Sequence, residues 1–457
     1  MIPRCTIIGI RAVCLLAAAG ILPTLTACSS SEDARPTPTN DAGREGGSAA
    51  GDGGEGENDA GPADADAGKP PAPPPYDFAV KCTSDSCATR IAARGGAHAC
   101  AVMQDGSVRC WGSNASGQLG TGTSGTGPIP AYEGIPRPVL GLSNATSIAA
   151  TGDGTAGTTC VVLGTGDVAC FGSDAWGQLG RAGTNPKGPN PDPVPVLALQ
   201  AKSVTLTNTF ALAIGTDDRL WSWGTNDTRQ LARTTSGPDA GSASVADRAD
   251  SVVSAVQACA GTSMTGFVVS AAGDLLSWGG GTSDQLGRAS SLKRDPIPFS
   301  IAVSDASSVT AGSAHACALH SGSVSCWGKN DHGQLGTGRR AEELLPAPVL
   351  LPSGVYAVAV TAGGNNTCVI AADGALYCSG ANGSGQLGAS APVDQASPVK
   401  IEGLGEEVVG VAVMDASICA LLRGGSVACL GDNLLGQLGR GTRDAERHPV
   451  AAPVVFK

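Results

Sequence analysis

The stretch CWGSNASGQLG, Cys110 to Gly120, decides how this chain of 457 residues is read, because six further copies follow it. They are CFGSDAWGQLG (Cys170 to Gly180), SWGTNDTRQLA (Ser222 to Ala232), SWGGGTSDQLG (Ser277 to Gly287), CWGKNDHGQLG (Cys326 to Gly336), CSGANGSGQLG (Cys378 to Gly388) and CLGDNLLGQLG (Cys429 to Gly439). The first glycines (Gly112, Gly172, Gly224, Gly279, Gly328, Gly380 and Gly431) lie 60, 52, 55, 49, 52 and 51 residues apart. A near-constant period of that size marks a repeat architecture.

The first unit, Ile91 to Val139, serves as template. His98 to Met103 is short and apolar, Gln104-Asp105-Gly106 is a turn signal, and Ser107 to Trp111 alternates polar and apolar residues. Two short strands around Asp-Gly predict a β-hairpin, because glycine supplies the positive φ of the turn. The hairpin recurs at Cys160 to Phe171, Cys317 to Trp327, Cys368 to Cys378 and Cys419 to Leu430, and no helical period competes with it. A Pro-Val or Pro-Ile step separates most units, from Pro138-Val139 to Pro449-Val450. Proline suits the first residue of a strand or a sheet edge. About four short strands per unit are therefore expected.

One small sheet leaves a face exposed, so the units must pack on one another. Seven four-stranded sheets arranged radially make an all-β, seven-bladed β-propeller. The period of about 50 residues disfavours an open solenoid of shorter repeats. The final segment, Pro449 to Val455, has no unit after it, and the first unit lacks a Pro-Val step before it. Pairing of that segment into the first blade is the expected closure.

The pattern Trp-Gly-x-Asn-x-x-Gly-Gln-Leu-Gly resembles the regulator of chromosome condensation repeat family. Gly96-Ala-His98 before Trp111-Gly-Ser-Asn114, and Gly312-Ser-Ala-His315 before Trp327-Gly-Lys-Asn330, carry the likeness best. It covers roughly residues 78 to 457 and implies a seven-bladed propeller. It does not imply the nucleotide-exchange activity of the family's nuclear founder, which depends on one nuclear GTPase partner and on individual loop residues. Units three and four depart from the pattern at Arg229 to Ala232 and Asp284 to Gly287. Secreted bacterial members include an inhibitory protein that binds a β-lactamase through one propeller face, so the resemblance admits extracellular binding.

The N-terminus has Arg4 and Arg11, an apolar run from Ala12 to Leu22, and then Leu25-Thr26-Ala27-Cys28. The run is short for a membrane span and has a secretory layout. Leu-Thr-Ala-Cys resembles the bacterial lipobox, which implies a lipoprotein signal peptide at 1–27 and lipidation of Cys28. Ser29 in the next position favours outer-membrane delivery in a diderm bacterium. Residues 28–76 form an expected linker, and 77–457 the propeller. Between Ser29 and Pro75, ten acidic residues against three basic ones give −7 of the chain's −11 charge. With no hydrophobic periodicity, this acidic linker is expected to be disordered. Acidity argues against nucleic-acid binding, which wants a basic face.

Of 16 cysteines, Cys5 and Cys14 belong to the signal and Cys28 takes lipid. Five pairs occupy matching hairpin positions: Cys100/Cys110, Cys160/Cys170, Cys317/Cys326, Cys368/Cys378 and Cys419/Cys429. Directly opposed strand residues lie within disulfide range. Units three and four carry Leu212/Ser222 and Phe267/Ser277 instead, which fits a staple better than a repeated metal or redox centre. Cys82 and Cys87 are expected to close a small loop before the first blade. Zinc is the rival reading, but Cys-x-x-Cys spacing is missing and histidines are few. Disulfides place the domain outside a reducing cytoplasm. Cys259 is left over, and its alanine neighbours make it a small buried residue rather than a reactive thiol.

The chain offers no His-Glu-x-x-His, Gly-x-Ser-x-Gly or phosphate-loop pattern. His98 and His315 fall at a repeat position and are expected to bond backbone between blades. The repeated Trp and Gln read as interblade core and turn chemistry rather than as binding groups. Recognition belongs where units differ. From the terminal Gly (or Ala232) to the next Pro-Val strand, the intervals are 19, 14 and about 20 residues in units one to three, against 10, 13, 11 and 11 in the rest. Tyr132, Trp176, Pro189 and Asp192 are the candidate contact residues. The reading is a monomeric, lipid-anchored surface propeller that binds an extracellular or periplasmic protein, with no cofactor or metal. The alternatives are a propeller hydrolase or lyase acting on glycans and a structural envelope protein.

Overall fold

The computed structural model describes residues 75–122, 130–153, 156–181, 188–233, 243–290, 292–389, 391 and 393–457. The signal segment, Cys28, most of the acidic linker and the tips of the three longest loops lie outside them.

Each repeat folds into one antiparallel blade. Blade one runs β1 (Ala88–Ala92), β2 (His98–Met103), β3 (Val108–Ser113) and β4 (Tyr132–Pro138), paired in that order from the ring axis outward. Asp105 Oδ1 accepts the Ser107 N–H at 2.9 Å, and Gly106 takes φ 76°, so Asp-Gly closes the hairpin as the sequence predicts. Gly112 adopts φ 99°, and a Cβ there would meet the Ala97 carbonyl oxygen at 2.3 Å. That close approach is why Trp is followed by Gly in the repeat.

The rest of the motif builds one loop. Asn114 Oδ1 accepts the Leu119 N–H at 3.0 Å, and Gln118 Oε1 accepts the Ser116 N–H at 2.9 Å. Folded this way, the loop pushes Leu119 into the core, where it is fully buried. Trp111, Trp223, Trp278 and Trp327 are also fully buried. Each indole donates to the backbone carbonyl of the motif glutamine in the blade before it: Gln437, Gln178, Gln230 and Gln285, at 2.7–2.9 Å. The tryptophans thus mortise one blade into the next, burying a large ring and satisfying its N–H together.

Seven blades of four strands would count 28, yet the described residues form 27. β8 (Val194–Leu206) is the outer strand of blade two and the inner strand of blade three in one run, bent at Ala198 with φ 60°. Blade two opens on β5 (Ala145–Gly152). The inner strands of blades four to seven are β12 (Val256–Gly261), β16 (Ala306–Ala311), β20 (Ala357–Gly363) and β24 (Val408–Val413). The proline steps fall on the outermost strands, inside or at the ends of them, rather than opening a new unit. Pro138 ends β4, and Pro449 lies within β27 (Asp444–Pro453). An edge strand tolerates the missing donor.

Ring closure differs from the expected strand exchange. β27 pairs with β26 (Val427–Asn433), so the C-terminal segment completes blade seven rather than blade one. Three other contacts join the ends. Gly95 N donates to Val413 O at 3.0 Å and Val413 N to Ala93 O at 3.2 Å, a parallel bridge between the inner strands. Trp111 packs in one core cluster with Leu438 and Val454 and meets Phe456 edge-on at 5.9 Å. Residues 76–88 form a strap over blade seven, with Tyr76 Oη on Val408 O (2.8 Å), Lys81 N on Arg423 O (2.7 Å) and Ala88 N on Gly425 O (2.9 Å). The first blade already owns four strands, so no vacancy remained for the C-terminus to fill.

Candidate functional site

Paired cysteines come first, because they stiffen the platform. Cys100/Cys110, Cys160/Cys170, Cys317/Cys326, Cys368/Cys378 and Cys419/Cys429 stand directly opposite on neighbouring strands, with Cα atoms 4.0–4.1 Å apart. All five pairs are in disulfide geometry, as is Cys82–Cys87 in the strap, with Cα atoms 5.5 Å apart. No group of three His, Cys, Asp or Glu side chains among the described residues is placed to hold a metal ion.

The turns that leave the inner strands gather around the ring axis on one face, and Arg94 occupies that axis. Its Nε donates to Ala311 O at 2.6 Å and its Nη1 to Leu206 O at 2.8 Å, while Nη2 reaches Gly261 O and, at 3.3 Å, Gly312 O. One guanidinium from blade one therefore ties blades three, four and five across the channel. Burial lowers its pKa to about 10, which still leaves it charged at neutral pH. Around it the mouth is neutral and hydroxyl-rich: Thr151, Thr207, Asn208, Thr262, Ser263 and Ser313. Thr151 Oγ1 lies 3.1 Å from the Arg94 carbonyl and 2.9 Å from Asn208 Oδ1. Asp415 does not pair with Arg94. It accepts the Gly96 N–H at 2.9 Å, and burial raises its pKa.

The repeated histidines serve the blade seams. Thr159 Oγ1 donates to Gln118 O at 2.8 Å, so it accepts from His98 Nε2 at 3.0 Å. His315 Nε2 makes the matching contact with Thr367 Oγ1 at 2.9 Å. The partner is thus a threonine hydroxyl of the next blade, not backbone as expected; in blade two the Thr159 hydroxyl carries the bond on to the Gln118 carbonyl, which has no tryptophan. Burial holds His98 near a pKa of about 4. Burial and then the charge of Arg94 hold His315 at about 3. Cys259 is on the channel wall, 3.5 Å from Thr205 Oγ1, and burial pushes its thiol up to about 11.

The four candidate contact residues fall in three places. Trp176 is 47 % exposed, and it lines a pocket of about 90 Å³ with Thr151, Asp153, Ser173, Gln178 and Asn208, adjoining the channel mouth. Pro189 and Asp192 belong to a segment that packs on the first blade's motif loop. Asn190 N donates to Ser116 O at 3.1 Å, and a Cβ on Gly117 would strike Pro191 at 2.7 Å. Asp192, with Asp174, partly offsets the desolvation that lowers the Arg181 pKa. Tyr132 lies at the seam of blades one and seven with Arg443 over its ring, 4.3 Å from the centroid. Only Trp176 thus joins the axial face. Sequence reasoning missed Arg94: its signal was one cation in a turn that carries no Lys or Arg in the other six blades.

Blade count and interlocked tryptophans define a repeat β-propeller. The chain belongs to the RCC1-like domain family, whose model matches residues 47–413. It is 26% identical over 357 residues to the E3 ubiquitin-protein ligase HERC2 of Homo sapiens, a match covering 75% of this chain and 7% of that protein. The chain thus spans a small fraction of that relative. The Ultraviolet-B receptor UVR8 of Arabidopsis thaliana is 27% identical over 366 residues, covering 77% of this chain and 78% of the receptor. The solved structure of Prp20p from Saccharomyces cerevisiae superimposes with a TM-score of 0.63 at 18% identity, covering 76% of this chain and 85% of that one.

Proposed function

We propose that this chain is a protein-binding propeller held outside the cytoplasm by lipid on Cys28, and that its partner docks on the axial face beside Trp176. One observation carries the reading. Four in-register tryptophans are wholly buried, whereas Trp176, at a variable position of the second motif copy, stands 47 % exposed beside the channel mouth. Large aromatics left at the rim of a pocket are the usual anchors of protein interfaces. Prp20p, of the same fold, is described with its binding to Gsp1p and histones, which makes a protein the favoured ligand class. The lipobox-like Leu25 to Cys28 and the acidic linker supply the anchor and the spacer.

The test is capture of envelope proteins by full-length protein, comparing the native chain with Trp176→Ala and with Phe299→Ala on the exposed outer edge. Loss with Trp176→Ala alone supports the reading. Equal capture by all three, or cleavage of a glycan library with no protein retained, overturns it. Cys28→Ser abolishes incorporation of labelled fatty acid if the anchor is as proposed.

A further inference from the structure

Behind Arg94 the channel widens into a chamber of about 210 Å³, walled by small side chains such as Ala149, Ala150, Val204, Ala260 and Val309. Arg94 forms its floor and separates it from the mouth, since it lines both. A guanidinium has five N–H hydrogens. Nε uses one, Nη2 uses two and Nη1 uses one, all on carbonyl oxygens, so one Nη1 hydrogen has no acceptor among the described residues. Neutral carbonyls solvate the cation but do not cancel its charge. No ion pair among the described residues includes Arg94. A partly buried charge without a counter-charge is costly, and an anion brought to it recovers part of that cost. Thr310, on the same wall, accepts the Ala362 N–H at 3.0 Å, which leaves its own hydroxyl hydrogen free to donate.

We propose that this chamber binds a short-chain carboxylic acid, with its carboxylate on Arg94 Nη1 and the Thr310 hydroxyl and its alkyl chain against the alanine and valine walls. The chamber is smaller than the usual 300–1,000 Å³ of a drug-sized site, so chains of about four to six carbons fit. The proposal concerns the ring interior and does not depend on what docks beside Trp176.

Isothermal titration of the full-length protein with acetate, butyrate, hexanoate, hexanol and chloride tests it. Affinity is expected to rise about fourfold per added methylene until the chamber is full. Hexanol and chloride are expected to bind at least tenfold more weakly than hexanoate. Arg94→Gln should lose hexanoate binding at least tenfold. Val309→Phe, which keeps the charge and fills the chamber, should do the same, and it carries the test if Arg94→Gln does not fold. No binding by any acid, equal binding of hexanol or chloride, or hexanoate binding unchanged by Val309→Phe overturns the proposal.

Discussion

Blades three and four solve by hydrogen bonding what the other five blades solve with a covalent bond. At the position where Cys110 faces Cys100, blade three has Ser222 facing Leu212 and blade four has Ser277 facing Phe267. Ser222 Oγ donates to Leu231 O at 2.8 Å, and Ser277 Oγ to Leu286 O at 2.7 Å. Arg233 and Arg288 then donate through Nε to those hydroxyls at 3.2 and 3.1 Å. Both serines are fully buried, so each hydroxyl must be paired, and the arginine after the motif completes the pairing. A disulfide ties strand to strand by restricting the unfolded chain, whereas this network ties a strand to the motif loop by satisfying polar groups. The same shape is held in one case by a redox-dependent device and in the other by one indifferent to redox.

The hardest way to break the comparison is to remove what both kinds of blade share. Trp278→Ala in blade four and Trp111→Ala in blade one should each cost about 3–5 kcal/mol in denaturant unfolding. Similar losses would show that tryptophan, not the staple, dominates the seam. A clearly smaller loss for Trp111→Ala would show that the disulfide compensates. Next in size, replacing both Cys317 and Cys326 by alanine should destabilise by about 2–3 kcal/mol, while reduction of the native protein leaves hydrogen-exchange protection of Ser222 and Ser277 unchanged. Early loss of protection there would sink the claim that blades three and four are redox-indifferent.

Acid sharpens the contrast. His98 and His315, both in stapled blades, have folded pKa values of about 4 and about 3, below the ordinary 6.5. The unfolded chain therefore takes up protons first as pH falls below about 6.5, and stability is lost from there down toward the folded values. His98→Asn, which copies Asn366 at the same position in blade six, should abolish about 2 kcal/mol of the loss between pH 7 and pH 4. An unchanged pH dependence of the unfolding midpoint would count against burial of neutral imidazole as the cause. Smallest is Arg288→Met, which removes the bonds to Ser277 and the 2.9 Å ion pair with Asp295, for about 1–2 kcal/mol. The same change at Arg440 in stapled blade seven, which bonds Cys429 O at 2.6 Å, should cost less.

Legibility in the sequence followed distance along the chain. Hairpin register was readable because Asp105-Gly106 and the ten-residue spacing of Cys100 and Cys110 act within one turn. The site was readable only in part. Trp176 stood out as a tryptophan at a variable motif position, but Tyr132 looked equivalent to it and is a seam residue stacked on Arg443. Pro189 and Asp192 looked like loop ornaments and belong to a segment pressed against Gly117. Single residues that break a repeat are visible, but which neighbour they meet is not.

Blade number, strand order within a blade, cysteine partners and the motif loop all follow from the order of residues alone. Each rests on turn chemistry and side-chain alternation over a few positions, where chain connectivity leaves few choices. Closure through Ala93, Gly95 and Val413, the threonine partners of the histidines, and the meeting of Arg94 with carbonyls 112 to 218 residues away were decided by the folded ring. Those contacts exist only once seven blades are packed at a common radius. Where the ring brings far-separated segments to one axis, geometry rather than local pattern sets the neighbours, and the proposed chemistry of the axial chamber depends on it.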